Sequence, residues 1–431
     1  MAKKYLSGAD AKFIGALETT PGTFPAAGNY RYLDFMSTTL GADNPFSDRD
    51  ILGRGRNPGD PILASNETVN GNIVIPASAR GMGLWLTGLF GAATVTTVKA
   101  KGYFEFGGQP ANNATLTFNG FAWTLKTSGA TGAQTDIGLD LDATLTALAL
   151  DLNTNTVANA EIGKCTFTAN TTLNRLEVEF DTAGVGGNTY TLAASATSGA
   201  TRSAATLLGG GYQHKFLSGG DSLPTLALQV GFPGAETPYY KRYSKCYMNT
   251  LEMQIQQEGT PDITLSTMAG EETYSTVSLD SDPDVIADEY FIQRDAYILV
   301  DGTEIGGLMG GTLNFSNNME PLYLVGGSRM EEATPTKVSC QGESTVRLSS
   351  TAELRTLAKE RTAVVQTYGW ETASKWKFEC RMPRAFFNLP REEIGGPGGI
   401  DTSYSWRTGS DTGGDGAAVE VYLVNDIAEY V

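Results

Sequence analysis

The stretch Leu251-Glu-Met-Gln-Ile-Gln-Gln-Glu-Gly-Thr-Pro-Asp-Ile-Thr-Leu-Ser-Thr-Met268 reads as two strands around a turn. Leu251, Met253 and Ile255 fall on one side of the first strand and Glu252, Gln254 and Gln256 on the other, the period of two of a half-buried strand. Glu258 and Asp262 flank the turn, and Ile263 and Leu265 then alternate with Thr264 and Ser266. One face buries. The other is polar, acidic and free of Lys and Arg. In a monomer such a face is simply solvated; in a closed ring of sheets it would line a pore.

Working outward, strands are expected over 68–75, 226–232, 243–256, 297–300 and 311–315, from alternation and β-branched content. Short helices are expected over 78–90, weakened by its glycines, and over 350–359, where Leu354 and Leu357 share a face. Residues 102–211 differ in tone, being rich in Ala, Thr, Asn and Gly and nearly free of basic residues. Asn119-Gly120 between alternating segments is a hairpin signal. Leu141, Leu145, Leu148 and Leu152 keep helical spacing, and 175–180 alternates as a strand before Gly184-Val-Gly-Gly-Asn188 turns the chain into Tyr190-Thr-Leu. This is expected to be an independent α+β module inserted into a larger unit, with 1–101 and 212–279 forming one unit and 280–431 a second. The acidic run 280–288 is expected to be a solvated linker between them.

The second unit repeats the first in outline. Ser37-Thr-Thr-Leu40 opens a segment running through Arg56 to the strand holding Gly71, and Gly311-Thr-Leu-Asn314 opens one running through Arg329 to the strand holding Ser344. A short helix follows each. Tyr240-Lys-Arg-Tyr-Ser-Lys-Cys246 resembles Lys375-Trp-Lys-Phe-Glu-Cys380, and Gly259-Thr-Pro-Asp262 with Gly270 matches Gly398-Gly-Ile-Asp401 with Gly409 at one interval. Agreement of order, spacing and residue type points to one structural unit used twice. The module interrupts only the first copy, just after its helix.

Composition narrows the function. With 431 residues the chain has room for two or three domains, each with its own core. Fifty-one glycines without a collagen period imply many turns and short strands. A net charge of −17 removes any electrostatic reason to hold nucleic acid. Cys165, Cys246, Cys340 and Cys380 are widely spaced, and His214 is the sole histidine, so neither a zinc site nor a disulfide framework is expected. The polar start of the chain contains no signal-peptide core, and the longest apolar run, over 83–98, is too short and too Gly-rich to span a bilayer. A soluble protein made in a reducing cytoplasm is expected.

The search for chemistry is negative. Gly53-Arg-Gly55 precedes Asn57-Pro-Gly-Asp-Pro61, which forbids the helix a phosphate loop needs. Asp280, Asp282 and Asp284 have calcium-loop spacing, but Val285 and Phe291 stand where Gly and Glu are required. His214 lacks a nucleophile-elbow sequence around any Ser or Cys and is expected at the surface or its boundary. Cys246 and Cys380 are expected to be small buried residues on equivalent strands. The many carboxylates leave a glycoside-hydrolase pair open. No catalytic residue, metal or cofactor is assigned.

Several segments resemble the major tail tube proteins of long-tailed, siphovirus-type bacteriophages. They are Glu18-Thr-Thr-Pro-Gly-Thr23, Glu67-Thr-Val-Asn-Gly-Asn-Ile-Val-Ile75 leading into Gly83-Leu-Trp-Leu-Thr-Gly-Leu-Phe-Gly91, and Tyr212-Gln-His-Lys-Phe216 with Leu223-Pro224. The likeness is best over 1–101 and 212–275. The module, with Asn119-Gly120, Trp123, Asp136-Ile-Gly138, Thr144-Leu145, Asp181 to Asn188, Tyr190-Thr-Leu192 and Leu208-Gly-Gly210, resembles a small domain of phage virion proteins.

The resemblance implies a mainly β fold: two tandem tail-tube-type β-sandwich domains, each with one short helix, plus the inserted α+β domain facing outward. It implies edge-to-edge closure into a barrel, and stacked rings conducting double-stranded DNA during ejection without binding it. Two units per chain then imply trimeric, pseudo-hexameric rings. Candidate lumen residues are Glu252, Gln254, Gln256, Glu258, Asp262, Glu392, Glu393 and Asp401. Candidates for a loop reaching the next ring, 41–66 and its counterpart 318–336, are Asp43, Asp48, Arg49, Arg54, Arg56, Arg329, Glu331 and Glu332. Implied partners are copies of the chain, tail tip or baseplate, tail terminator and tape measure proteins, with no membrane; the implied place is the virion tail, assembled in the host bacterial cytoplasm. Other virion parts, a tail-tip adhesin or a capsid decoration protein, are the alternative, with a surface-layer protein disfavoured by the missing signal peptide.

Overall fold

The alternating hairpin at 251–268 lies in the middle of a sheet, not at its edge. The computed structural model describes residues 5–45, 66–154, 160–348, 353–391, 399–411 and 413–430. Along the chain come β1 (Lys12–Leu17), β2 (Ser37–Thr38), β3 (Gly41–Asp43), β4 (Thr68–Pro76), α1 (Met82–Phe90) and β5 (Thr94–Val98). The central block holds β6 (Lys101–Phe106), β7 (Ala114–Phe118), β8 (Phe121–Lys126), β9 (Gln134–Asp136), α2 (Leu141–Thr154), β10 (Cys165–Asn170), β11 (Arg175–Phe180), β12 (Leu192–Ala194) and β13 (Ala200–Arg202). Then follow β14 (Gly211–Leu217), β15 (Leu226–Phe232), β16 (Tyr239–Ile255), β17 (Asp262–Ala269) and β18 (Glu271–Ser275). The last part holds β19 (Ala296–Val300), β20 (Leu308–Ser316), β21 (Glu320–Tyr323), β22 (Met330–Thr334), β23 (Ser339–Arg347), α3 (Glu353–Glu360), β24 (Val364–Glu371), β25 (Lys377–Phe387), β26 (Asp401–Thr408) and β27 (Glu420–Asn425). The fold is mainly β, as expected.

One antiparallel layer runs β3–β4–β17–β16–β20–β23–β26–β25, with β2 prolonging the β3 edge. A second layer backs it, made of β1, β15, β18, β19, β24, β27, β14 and β5. The long strands β16 and β25 pass from one layer into the other. At the β16 corner Lys245 takes φ 53°, and its N–H donates to Glu18 Oε1 at 2.9 Å. The buried Glu18 carboxylate also accepts from Gly22 N and Thr225 Oγ1, both at 2.7 Å, so the charge is fully hydrogen-bonded.

The pairing repeats. Asp262, Thr264 and Ser266 face Pro76, Val74 and Asn72, as Asp401, Ser403 and Ser405 face Arg347, Thr345 and Glu343. This register puts Gly342, not Ser344, in the place of Gly71. A bulge follows Leu226/Cys246 in one half and Val364/Ala385 in the other, so Cys246 answers to Ala385 and not to Cys380. All four thiols are free and buried, and burial pushes their pKa values up.

The flanking halves do not keep separate cores. One continuous cluster joins Phe13 and Trp85 to Trp370, Phe378 and Trp406, because the β16–β20 ladder fuses the two sheets. Every residue of α1 is buried in it. Its glycines are packing residues, not weak points: a Cβ on Gly83 would lie 2.1 Å from the Tyr430 ring. The run 280–288 is no solvated linker. Asp280 is buried and accepts from Gly28 N at 2.6 Å, Asp284 exchanges backbone bonds with Tyr30 and Tyr32, and Asp288 receives Arg80 N and Gly81 N at the start of α1. The last of these supplies the cap that Gly81 lacks.

The central block has a core of its own, built on Trp123, Phe104, Phe118, Phe167 and the α2 face of Leu145, Leu148 and Leu152. Asn119 and Gly120 have φ 45° and 84°, as a type I′ hairpin requires. The block leaves from β5 and returns at β14, neighbouring strands of the backing layer, and Lys101 and Leu208 exchange backbone bonds at its neck. One strand, β5, separates α1 from the block.

His214 is buried, not at the surface. Its Nε2 lies 2.8 Å from Ile427 O and its ring packs edge-on to Tyr430, fixing the end of the chain beside α1 together with the Arg80–Asp426 ion pair at 2.6 Å. Burial lowers its pKa. A depressed histidine is neutral when folded, so its contribution is intact above the ordinary value of about 6.5 and is lost as pH falls through the folded value. Acidification from about pH 7 to about pH 5 is expected to raise hydrogen exchange around Ile427, and His214→Gln to flatten that dependence. An identical pH response in the variant would assign it to other groups.

Candidate functional site: a polar sheet face

Along the eight-stranded layer, odd and even residues divide between core and solvent. One cross-strand row on the solvent side reads Val74, Thr264, Glu252, Asn314, Gln341 and Arg407. The next includes Gln254, Thr312, Glu343 and Ser405. Hydroxyls pair across strands, Thr250 with Ser266 and Thr345 with Ser403, both at 2.7 Å. The face is hollowed by two shallow depressions, one lined by Glu252, Asp262, Thr264 and Asn314, the other by Gln256, Glu258, Thr312 and Glu343.

Glu252, Gln254, Gln256, Glu258 and Asp262 are all exposed on or beside this face, and Asp401 lies on it in the second half. Glu392 and Glu393 lie outside the described residues. Glu252 faces Thr264 and Asn314, so no cation opposes it. The second half departs from the hairpin's pattern. Arg347 forms a two-pronged pair with Asp401 (2.7 and 3.1 Å), which holds the carboxyl below its usual range, and Arg407 stands on the same side. A face free of Lys and Arg therefore describes the first half only. Glu343, Arg347 and Arg407 were legible in principle, since Ser339–Arg347 and Asp401–Thr408 alternate polar and buried residues along their lengths.

Beneath the second half the core is polar. Tyr368 Oη meets Ser344 Oγ and Trp406 Nε1 at 2.9 Å, and Gln366 Nε2 donates to Ser344 Oγ at 2.9 Å. Beneath the first half, Ile73 and Leu228 fill the corresponding space.

The loop candidates divide. Asp43 ends β3 and is exposed; Asp48, Arg49, Arg54 and Arg56 lie outside the described residues. The hairpin β21–β22 folds back over the first half: Met330 and Ala333 pack with Leu223 and Tyr247, and Arg329 bonds Glu67 at 3.2 Å and Glu271 at 2.5 Å. Lys245 Nζ donates to Glu331 O at 2.8 Å, while the Glu331 and Glu332 side chains are exposed. The tip residues Leu322, Leu324 and Val325 are exposed.

Among the described residues no group of three or more His, Cys, Asp and Glu is placed to hold a metal ion, and no helix is long and apolar enough to cross a membrane.

The described residues thus form a two-layered β fold with a polar sheet face and a buried helix. The family model described as phage tail tube protein matches residues 8–408, from ahead of β1 to the end of β26. The chain belongs to the phage tail tube protein family and is a structural protein of the phage tail. No curated protein matches the sequence.

Proposed function

We propose that the chain carries two tube units, 1–101 with 212–279 and 280–431, and that three chains close edge to edge into a pseudo-hexameric ring. Rings stack into the tube of a long-tailed phage, assembled in the host cytoplasm, with the polar face turned to the channel through which DNA leaves. What supports this most directly is the β16–β20 ladder, a junction between two like units already present inside one chain. The first-half carboxylates oppose DNA phosphate beside hydroxyls and amides that have little grip on a polyanion, while in the second half Asp401 offsets Arg347 and Arg407 is the cation on the row. Tail tip, terminator and tape measure proteins are the partners such a tube meets at its ends and in its bore.

Electron microscopy of the purified protein tests the reading: hollow tubes whose cross-sections show six units with threefold modulation are expected. A soluble species that forms no tube at any concentration, salt or pH overturns it.

The central block faces outward in this arrangement, since its neck leaves from the backing layer. Joining Lys101 to Leu208 through a short Gly-Ser linker, in place of 102–207, is expected to leave tubes of unchanged helical parameters. Failure of that variant to assemble, with its β content intact by circular dichroism, would make the block a tube contact.

A further inference from the structure

We propose, on the ring reading above, that copies meet by one defined strand pairing. Residues 388–391, which prolong β25, lie antiparallel to β3 of a second copy, with Leu389 opposite Ala42 and Asn388 opposite Asp43.

The chain's internal junction supplies the template. There Thr250 faces Ser316 and Leu251 faces Phe315. On the far side of β20, Phe315 faces Cys340, while Ala42 of β3 faces Val69. Cys340 and Val69 are counterparts in the repeated register, so Ala42 stands for Phe315. On the other flank Thr250 faces Ser266, and the Asn388 N–H donates to Ser405 O at 2.8 Å, with its side chain on Ser405 Oγ at 3.1 Å. Ser266 and Ser405 are counterparts, so Asn388 stands for Thr250 and Leu389 for Leu251. Exchanging counterparts across the internal junction gives the proposed pairs.

Both edges look incomplete in the lone chain. β16 continues to Ile255 because β17 and β20 flank it, whereas β25 ends at Phe387, beyond which β26, among the described residues, is the one strand it bonds. Leu389 is 49% exposed and Leu251 is 1% exposed. On the opposite edge the N–H groups of Leu40 and Ala42 are held by side chains, Thr38 Oγ1 and Glu272 Oε2, each at 3.2 Å. These long bonds stand in for a missing strand, and backbone carbonyls of 389 and 391 replace them on pairing. Pro390 does not interrupt the ladder. Asn249 O accepts from Asn317 N across the internal junction, which puts Leu251 in the bonding phase toward β20 and Glu252, the counterpart of Pro390, in the phase toward β17.

Asn388 and Asp43 then form a non-hydrogen-bonded pair, whose side chains approach closely enough for a disulfide. Asn388→Cys combined with Asp43→Cys is expected, on mild oxidation of assembled protein, to give a reducible ladder of covalent species ending at three chains. Each single variant gives only monomer. Thr250→Cys with Ser316→Cys calibrates the geometry and closes within one chain. If the calibrator closes and tubes are present by microscopy but the inter-chain pair stays monomeric, the register is overturned and the ring reading survives. Bands beyond three chains overturn three-chain closure, failure of the calibrator overturns the template, and absence of any assembly overturns both readings.

Discussion

Glu252→Lys combined with Asp262→Lys is expected to leave the tube assembled and to make it hold DNA. Both side chains are exposed, with Thr264 and Asn314 beside Glu252 and Pro76 beside Asp262, so no ion pair is broken by the change. Each substitution turns a repelling charge into an attracting one beside a polymer carrying a negative charge about every 1.7 Å. Every further phosphate neutralised steepens the dependence of binding on salt by roughly 0.9 in a log–log plot. Purified variant tubes are expected to retain double-stranded DNA at low salt where the parent does not, and variant particles to eject slowly, with recovery as salt rises. A matched change on the central block, Asp142→Lys with Glu177→Lys, keeps the same net charge but leaves ejection unchanged. Intact tubes with parental ejection kinetics in the first variant would remove both residues from the channel.

Gly342→Ala is expected to cost about 3 kcal/mol or more, a large fraction of the stability of a typical fold. A Cβ there would lie 2.0 Å from Thr312 O, a backbone atom of the paired strand, and 2.6 Å from the Trp406 ring. Neither neighbour can withdraw: Thr312 is fixed in the β20–β23 ladder and Trp406 is 1% exposed, with its indole N–H bonded to Tyr368. Gly306→Ala is the control, since no atom lies within 4 Å of an added Cβ, and it should shift stability by less than about 0.5 kcal/mol in denaturant unfolding. A Gly342→Ala protein as stable as its parent would mean that β20 and β23 are not in the register described.

Local patterns carried most of what the sequence told correctly. The alternation of 251–268, the type I′ turn at Asn119-Gly120 and the Leu ladder of α2 each depend on residues a few positions apart, and each formed as read. What depended on distant partners was misread. The aspartates of 280–288 look like a solvated run because the backbone N–H groups they receive, at Gly28, Arg80 and Gly81, lie some two hundred residues away. The glycines of α1 look like helix breakers because Tyr430, which needs the space at Gly83, is at the other end of the chain. The Cys246–Cys380 match failed for a related reason: likeness of residue type set it, whereas the equivalent bulges of the two long strands, which only pairing shows, put Cys246 level with Ala385. On the candidate face the acidic first half was legible from one hairpin. The alternation of the strands holding Arg347 and Arg407 was open to the same reading, but only pairing shows that the two strands lie side by side in the hairpin's own sheet.

The fusion of both halves through the β16–β20 ladder also bears on how fast assembly begins. Six separate units must meet by diffusion, and nucleation then depends steeply on their concentration. In the three-chain ring proposed above, half of the junctions form within a single molecule, where the effective concentration of one unit for the other is of millimolar order or above. Nucleation of a ring then becomes a third-order rather than a sixth-order event, which favours rapid growth from a scarce pool of subunits.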